Sequence, residues 1–381
     1  MKDNAVKYTA IIISVLSLFT ACMLASRSYA DAKAAASHKT QTAAAADTSQ
    51  AETAVTTAPA VTTTAATTAA TTAAPVSSDT TPPMIMNASY VSVPKGYKGS
   101  LTENIICADD TDGTVTFRVL GNYDVNTPGD YQLTYYACDS SGNVTKNPFT
   151  LHVYDKSTTT TSSSSSASVI AVPFADVYAL NKNDSNEIGI DVSRWQGDVD
   201  YNAVKAAGAT FVMIRLGYQS SETKTNKTDP QFENNYKNAK AAGLKVGVYF
   251  YSDAMNRAEA VSQAEYCKTV LAGRALDLPV AFDWEYFNVF KGGKAGLSLN
   301  GLNDLAGAFC ASIAQGGYTP CLYSSKVFLQ NCWRIQSSYK VWLANYVPAT
   351  AYSGSYFMWQ RTAAGTCDGI NGSVDIDILY N

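Results

Sequence analysis

The chain has 381 residues, a formal net charge of −4 and 46% hydrophobic residues. This length exceeds one ordinary domain, and the charge lacks the basic excess typical of proteins that bind nucleic acid, so nucleic acid is not an expected partner. The only two histidines are His38 and His152, which excludes a Ser-His-Asp triad or an H-E-x-x-H zinc site from the C-terminal half and leaves acid–base chemistry there to carboxylates.

Residues 1–30 have the pattern of an export signal. A basic start precedes an apolar run over residues 10–24, and Ser28-Tyr29-Ala30 could be cleaved. The run, at roughly 16 residues, is near the lower limit for a spanning helix, so a signal peptide and a membrane anchor both stay open. Lipidation at Cys22 is a third alternative. We therefore expect an extracellular, wall-associated or membrane-associated protein that faces outside.

Two segments are predicted to be disordered linkers. Residues 31–79 consist mostly of Ala and Thr, and residues 156–186 are rich in Ser and Thr. Such segments lack the large apolar side chains that would offset the entropy of ordering them. The first is either a stalk that carries the rest of the chain away from the membrane or an inert linker, and the second flexibly separates the sandwich from the C-terminal domain.

Residues 80–155 predict a small all-β sandwich. Short β-rich runs alternate with turn formers such as Asp112-Gly113 and Pro128-Gly129, which is typical of antiparallel sheets. The predicted strands include residues 90–93, 114–119 and 131–136.

The sequence PGDYQLTYYACDSSGN at residues 128–143 resembles the bacterial Ig-like modules of many surface proteins. The resemblance implies a spacer or a weak adhesive module without a catalytic role. Cys107 and Cys138 both lie in strand-like runs, and in an oxidising compartment they either pair across the sandwich or stay free.

Residues 187–381 alternate between strand and helix patterns. The alternation predicts an α/β fold with a parallel sheet, and eight strands are enough to close it into a barrel. Because about 195 residues are few for eight complete units, the last helices should be missing or vestigial. The predicted strands are residues 188–192, 211–216, 244–251, 278–286, 319–324, 341–344, 356–360 and 374–378. The predicted helices are residues 199–207, 229–243, 258–271 and 302–315.

Three of these strands carry acids inside an apolar alternation: Asp191 in the first, Asp283 and Glu285 in the fourth, and Asp375 and Asp377 in the last. Successive strand side chains face opposite ways, so the acids should point to the barrel axis while their apolar neighbours pack outward. The first and last strands become neighbours when a barrel closes. We therefore expect these carboxyls at one mouth, where they shift each other's pKa values apart, as acid–base catalysis requires.

Clustered carboxylates also suit Mg²⁺ or Ca²⁺, which is the main alternative for this mouth. Many aromatic residues lie nearby in the pattern, and aromatic faces combined with carboxylates favour a sugar over a bare ion. Neither a metal nor a cofactor is therefore expected. For any single aromatic residue the alternative is packing within the barrel. These residues are Trp195, Tyr218, Tyr249, Tyr251, Trp284, Tyr286, Trp342, Tyr346 and Trp359.

The segment GIDVSRWQG at residues 189–197 resembles the opening motif of family 25 glycoside hydrolases, the lysozymes that cut bacterial cell-wall glycan. The similarity spans residues 187–381. It implies an irregular (β/α)-barrel with about five helices and eight strands. It also implies hydrolysis of the β-1,4 bond between N-acetylmuramic acid and N-acetylglucosamine. Further matching motifs follow at residues 211–217, 247–251, 283–285, 341–346, 358–360 and 374–377.

The resemblance also implies roles for individual residues. Glu285 would be the proton donor and Asp283 its partner, with Asp191 and Asp375 completing the catalytic set. Asp283 would either attack directly or orient the acetamido group of the substrate. Two departures, Tyr249-Phe250-Tyr251 where many relatives carry a His and Asp377 where Asn is common, affect the binding of the flanking sugar. The implied substrate-binding residues are Trp195, Tyr218, Tyr249, Tyr251, Trp284, Trp342, Asn345, Tyr346, Gln360 and Asp377.

The functional prediction is a secreted or surface-attached peptidoglycan hydrolase that acts as a monomer on bacterial peptidoglycan, with membrane attachment through the N-terminus as an option. The alternative is a catalytically weak protein that binds the cell wall. Five cysteines fall in the barrel segment, and because the number is odd, at least one should be free or pair outside it.

Overall fold

The computed structural model describes residues 79–155 and 171–380, which belong to one compact unit. The predicted export signal at residues 1–30 lies outside these ranges, as do residues 31–78 and 156–170 of the predicted linkers. Within the described ranges, no helix has the length and apolar character needed to cross a bilayer.

Residues 79–155, here called the β-module, contain six strands in two sheets. In the smaller sheet β1 pairs with β3 antiparallel, and the other sheet has the order β2-β6-β5-β4. Side chains from both sheets share one buried core, which includes Ile85 and Tyr135. Assignment of this module to the Ig-like class stays a prediction. The strands are β1 Met84–Met86, β2 Tyr90–Pro94, β3 Ile106–Ala108, β4 Thr116–Leu120, β5 Gly129–Cys138 and β6 Val144–Tyr154.

Cys107 lies in β3 and Cys138 ends β5, so the two cysteines belong to different sheets. Both are free thiols, as are the five barrel cysteines. Of the two alternatives for Cys107 and Cys138, the structure therefore contains the unpaired one.

The second part of the chain is a closed eight-stranded barrel. The order around the ring is β8-β9-β11-β12-β13-β14-β15-β16, and β16 returns to β8. All ring neighbours are parallel except β16, which runs antiparallel to both β15 and β8. The strands are β7 Val172–Pro173, β8 Asn186–Val192, β9 Phe211–Gln219, β10 Asn226–Thr228, β11 Lys245–Ser252, β12 Val280–Trp284, β13 Pro320–Ser325, β14 Lys340–Ala344, β15 Met358–Thr366 and β16 Val374–Tyr380.

The described residues contain six α-helices, one more than the five that were expected. Two of them, α2 and α6, have only six residues each, and between β14 and β16 the described chain forms no α-helix. The barrel is thus short of helices on its last side, as its length predicts. The helices are α1 Phe174–Asn181, α2 Tyr201–Ala206, α3 Phe232–Ala241, α4 Arg257–Leu271, α5 Leu299–Gln315 and α6 Lys326–Asn331.

The additional helix, α1, corrects the predicted linker of residues 156–186. Phe174 and Val177 of α1 are 2% and 1% exposed and join the core around the barrel. The preceding strand β7 pairs with β15 through Val172 and Gly365. A short apolar stretch at the end of a Ser- and Thr-rich segment is therefore enough to bury part of it on the barrel.

The strand alternation separates two cores, as the sequence pattern predicts. Ile190, Phe282 and Ile376 belong to the outer core between the strands and the helices. Met213 and Trp342 belong to the core inside the barrel. The acids of β8, β12 and β16 alternate with the outer set and therefore share the inner face.

The Gly-rich loop that follows Glu285 contacts the β-module through its backbone. Gly292 donates its N–H to Ile105 O at 3.0 Å, and Gly293 O accepts from Val115 N at 2.9 Å. Gly293 has a φ of +72°, and a Cβ there would lie 2.8 Å from Val115 Cγ2. Glycine is therefore required for this close approach.

The same surface of the β-module covers the beginning of α5. Leu299 and Asn300 donate their N–H groups to the carbonyl oxygens of Asp109 and Asp110 at 2.8 and 2.9 Å. The first N–H groups of a helix have no partner within the helix, so the β-module satisfies two of them. Arg334 adds an ion pair to Asp110 at 3.4 Å.

We predict that Phe174→Ala destabilises the protein by about 3 kcal/mol, because it removes a fully buried aromatic side chain and leaves a cavity between α1 and the barrel. The measurement is urea unfolding followed by tryptophan fluorescence. Leu180→Ala is the control, since Leu180 of the same helix is 78% exposed and should change stability by less than about 0.5 kcal/mol. Equal stability of the two variants would show that α1 does not pack on the barrel.

Candidate active site

The closure of the barrel places two acids directly side by side. Asp375 of β16 is the register partner of Asp191 of β8. Asp283 lies in β12 and Glu285 immediately follows it. Asp191 interacts electrostatically with each of the other three carboxyls. The four predicted catalytic acids are therefore brought together at the inner face of the barrel.

Glu285 has the properties of a proton donor near neutral pH. Its pKa is raised from 4.5 to about 7, mainly by burial and also by the negative charges of Asp191 and Asp253, while a hydrogen bond with Tyr323 acts in the opposite direction. A carboxyl with this pKa holds its proton in a large share of molecules at neutral pH.

Burial is also the main cause of the raised pKa values of the neighbouring acids. The pKa of Asp191 rises to about 6, and those of Asp283 and Asp375 rise well above their ordinary range. Asp283 is 6% exposed, and its Oδ1 has no hydrogen-bond partner among the described residues. The cluster therefore carries fewer negative charges at neutral pH than it has carboxyl groups.

Gln360 of β15 connects the acids to two tyrosines. Its Nε2 donates to Asp191 Oδ2 at 2.7 Å. Its Oε1 accepts from the hydroxyls of Tyr323 at 2.8 Å and Tyr346 at 2.9 Å. These three hydrogen bonds fix the orientation of the amide, and the bond to Asp191 favours its ionised form.

Tyr323 was missed by the sequence analysis, although it is in register with Asp283 on the adjacent strand. Its hydroxyl donates to Gln360 Oε1, and its interaction with Glu285 lowers the pKa of that carboxyl. The signal in the sequence was weak, because a tyrosine in an apolar strand is more often a core residue.

Arg215 supplies positive charge to the acidic cluster and was also missed. It lies in β9, and its charge lowers the pKa of Asp191 and of Asp283. Its Nε donates to Asp229 Oδ2 at 2.6 Å, while its buried Nη2 has no hydrogen-bond partner among the described residues. Arg215 lies within the motif of residues 211–217, but the apolar run around it predicted only a strand.

Asp253 is a third residue that the sequence analysis missed. It directly follows β11, and its charge raises the pKa of Tyr251 two residues before it. Its charge raises the pKa of Glu285 and of Asp283. Asp253 is therefore positioned to adjust the proton affinity of the proposed donor.

Trp284 does not lie in the site, which corrects its prediction as a substrate-binding residue. Its side chain is fully buried in the outer core, where the ring packs edge-on against Phe287 at 4.9 Å. Its Nε1 donates to Ala254 O at 2.8 Å. The reason is the alternation itself, since a residue between Asp283 and Glu285 must point outward.

Trp342 and Asp377 lie inside the barrel but expose almost no surface, at 1% and 0%, which contradicts a direct binding role. Trp342 Nε1 donates to Asp377 Oδ1 at 2.8 Å, and the indole packs edge-on against Tyr323 at 4.8 Å. Asp377 in turn forms a hydrogen bond with Asp191. Both residues therefore support the acids from within the barrel.

Other predicted binding residues lie at or near the surface. Trp195 is 50% exposed on a short 3-10 helix directly after β8. The guanidinium of Arg194 lies 4.5 Å from the centre of the Trp195 ring and 5.3 Å from that of Tyr218. Tyr346 is 39% exposed. These residues form an aromatic and cationic rim that could contact a sugar.

Of the remaining predicted binding residues, Tyr251 is half-buried and Tyr249 is 9% exposed. The Tyr249 ring packs edge-on against Trp342 at 5.9 Å. Asn345 is half-buried, and its Oδ1 accepts from Thr350 Oγ1 at 2.9 Å. Tyr249 therefore belongs mainly to the inner core, whereas Tyr251 and Asn345 keep some accessible surface.

Comparison with known proteins relates the barrel segment to glycosyl hydrolases. Residues 190–370 match the family model described as glycosyl hydrolases family 25. The autolytic lysozyme of Clostridium acetobutylicum is 32% identical over 193 residues, which cover 50% of this chain and 54% of that protein. Lysozyme M1 of Streptomyces globisporus is 31% identical over 199 residues, which cover 49% of this chain and 65% of that protein.

Among solved structures, the bacterial lysozyme of Streptomyces coelicolor is 29% identical and superposes with a TM-score of 0.45, covering 52% of this chain and 94% of that one. The chain spans a little over half to about two thirds of the length of the two curated relatives. The barrel segment is therefore similar in sequence to lysozymes and to the family 25 glycosyl hydrolases.

We predict that one glutamate titrates near pH 7 in the folded protein and that Asp253→Asn lowers this pKa, because the variant removes a negative charge that favours the protonated form of Glu285. The measurement is a ¹³C NMR titration of glutamate side-chain carboxyl groups. Glu285→Gln identifies the signal by removing it. An unchanged pKa in Asp253→Asn would show that Asp253 has no electrostatic effect on Glu285.

Proposed function

We propose that the protein is an exported peptidoglycan hydrolase that cleaves the β-1,4 bond between N-acetylmuramic acid and N-acetylglucosamine, with Glu285 as the general acid. The observation that carries this proposal is the Glu285 carboxyl, whose pKa of about 7 arises from burial beside other acids. The lysozyme relatives and the family match support the choice of a cell-wall glycan as substrate.

In the first step, protonated Glu285 donates its proton to the glycosidic oxygen as the bond to the anomeric carbon breaks. The leaving sugar departs as an alcohol, so no alkoxide has to form. Glu285 is then ionised and can accept a proton from the water that attacks in the second step. Asp191 and Asp253 favour the return of the proton, since their charges raise the pKa of Glu285.

Asp283 is the second reacting carboxyl, and two routes are open to it. It either attacks the anomeric carbon or holds the acetamido group of the substrate, whose oxygen attacks instead. Both routes use the ionised form. Positive charge developing on the sugar lowers the pKa of Asp283 and thereby offsets the effect of burial.

Asp191 provides further negative charge beside the reacting sugar, and Asp375 lies directly beside Asp191 in the adjacent strand. Gln360 and Arg215 both favour the ionised form of Asp191. A fixed negative charge in a buried site stabilises an oxocarbenium-like transition state more strongly than it would in water. Trp195, Tyr218 and Arg194 would hold neighbouring sugars at the rim.

The proposed place of action is the bacterial cell wall, outside the membrane. The residues 1–30 pattern supports export, and the names of the two curated relatives, an autolytic lysozyme and a lysozyme, fit action on a wall. We propose that the protein acts as a monomer, because the four acids of the site come from one barrel.

We predict that Glu285→Gln abolishes hydrolysis of purified cell walls, with a loss of at least about 10³-fold, because the amide cannot donate the required proton. Loss of turbidity gives the rate, and mass analysis of released fragments identifies the cleaved bond by its reducing-end N-acetylmuramic acid. Glu222→Gln, a change at an exposed glutamate, should hydrolyse walls like the unmodified protein.

The same experiment separates the proposal from its alternative. Wall binding without hydrolysis by the unmodified protein would favour a cell-wall-binding role. Substantial hydrolysis by folded Glu285→Gln would remove Glu285 from the acid role, and reducing-end N-acetylglucosamine would show that the other bond is cut.

We predict that kcat/KM falls about tenfold per pH unit above roughly pH 7, because the active form needs a protonated Glu285 whose pKa is about 7. Asp253→Asn should move this alkaline limb to lower pH, since it lowers the pKa of Glu285. The measurement is the pH profile for a soluble glycan fragment. A limb near pH 4.5, the ordinary value for glutamate, would contradict the assignment.

A further inference from the structure

A cluster of four acids lies in the β-module, outside the barrel site. One side-chain oxygen from each of Asp79, Asp109, Asp112 and Asp139 lies within 4.8 Å of the others. Asp109 and Asp112 belong to the loop between β3 and β4, whereas Asp139 follows β5. Carboxylates from separate parts of the chain thus converge despite their mutual repulsion.

Asp109 provides the observation that points to a ligand. Its side chain is 99% buried, with 1% exposure, and its Oδ2 has no hydrogen-bond partner among the described residues. Its Oδ1, in contrast, accepts from Thr111 N at 2.9 Å and Asp112 N at 2.7 Å. A buried carboxylate oxygen without a partner costs free energy unless a cation or a proton satisfies it.

The other acids of the cluster are held in place by donors from the surrounding chain. Asp112 accepts from Ser140 N at 2.8 Å and from Ser140 Oγ at 3.0 Å. Asp139 accepts from Asn143 N and Asn143 Nδ2, both at 2.8 Å. Each carboxylate oxygen has two lone pairs, so these bonds leave capacity for a further ligand.

Within residues 79–155 and 171–380, no basic side chain forms an ion pair with Asp109, and Arg334 pairs with Asp110 instead. The Asp109 carboxylate is thus buried without a compensating positive side chain among the described residues, and a bound cation would stabilise it.

We propose that Asp79, Asp109, Asp112 and Asp139 form a Ca²⁺ site in the β-module. Hard cations prefer carboxylate oxygens, and Ca²⁺ accepts six to eight oxygens in irregular geometry, which suits ligands from the segment before β1 and from two loops. Mg²⁺ requires near-ideal octahedral geometry and retains its water. This proposal is independent of the enzymatic one.

The site has a structural consequence for the barrel. Backbone carbonyls of Asp109 and Asp110 accept the N–H groups of Leu299 and Asn300 at the start of α5. A cation on the Asp109 side chain fixes the loop that carries these carbonyls. Bound Ca²⁺ therefore stabilises the contact between the β-module and the barrel.

The test is calorimetric titration of CaCl₂ into the chelator-treated full-length protein, with MgCl₂ titrated in parallel. We expect one Ca²⁺ per chain with a dissociation constant of about 10⁻⁴–10⁻³ M, typical of extracellular modules, and weaker Mg²⁺ binding. Saturating Ca²⁺ should raise Tm by several degrees. It should also slow hydrogen exchange of the Leu299 and Asn300 amides.

Asp112→Asn should weaken Ca²⁺ binding at least about tenfold, because it removes one ligand charge. Asp109→Asn should weaken Ca²⁺ binding in the same way. If Asp109→Asn fails to fold, Asp112→Asn provides the test, because Asp112 is only partly buried. Asp130→Asn is the matched control, since Asp130 lies at the far end of β5 from Asp139. Asp283→Asn is the control for Ca²⁺ binding to the acids of the barrel, and it should bind Ca²⁺ like the unmodified protein.

Absence of both Ca²⁺ binding and a Tm shift in the unmodified protein would overturn the proposal. Binding that persists unchanged in Asp112→Asn, or that is lost in Asp283→Asn instead, would overturn it as well. Binding that is lost in Asp112→Asn and kept in both controls would support it.

Discussion

The antiparallel pairing of β16 with β8 is the constraint on which the site depends. It closes the ring and sets Asp375 beside Asp191, although 184 positions of chain separate them. A shift of one residue in this register would turn the acids into the outer core and Ile190 and Ile376 into the site. The apolar outer face opposes such a shift, since those side chains are buried against helices. Packing outside the barrel therefore fixes the chemistry inside it.

The acidic cluster is held against the preference of its members for water. Burial raises the pKa of Glu285 from 4.5 to about 7, so the folded state binds this proton more tightly than the unfolded chain. The corresponding stability is fully present below about pH 4.5 and is lost as pH rises through 7. Arg215, Gln360 and Tyr323 limit this cost by favouring ionised carboxyls. The site thus lowers the stability of the folded protein at neutral pH but keeps a proton on Glu285 that can be donated there.

Much of the barrel and its acids could be predicted from sequence, because period-two alternation assigns each strand residue to a face. Asp191, Asp283 and Asp375 followed from this pattern, and family resemblance assigned their roles. Trp284 was wrongly predicted to bind substrate because it is aromatic. The strand alternation already pointed its side chain outward. Arg215 and Asp253 were missed since their effect depends on distances across strands, which spacing along one strand does not reveal. Helix α1 was hidden by the low-complexity composition of the segment before it.

The backbone contacts between the β-module and the barrel bear on how such chains can be recombined. Modules of multidomain proteins are commonly treated as independent units that can be exchanged. Here the carbonyls of Asp109 and Asp110 complete the first turn of α5, and Gly293 accommodates Val115. If this barrel were fused to an unrelated module, the first N–H groups of α5 would lose their hydrogen-bond acceptors. The glycine-rich loop would lose the β-module surface that it contacts. The two parts therefore form one structural unit, and a recombination that preserves these contacts would have to move them together.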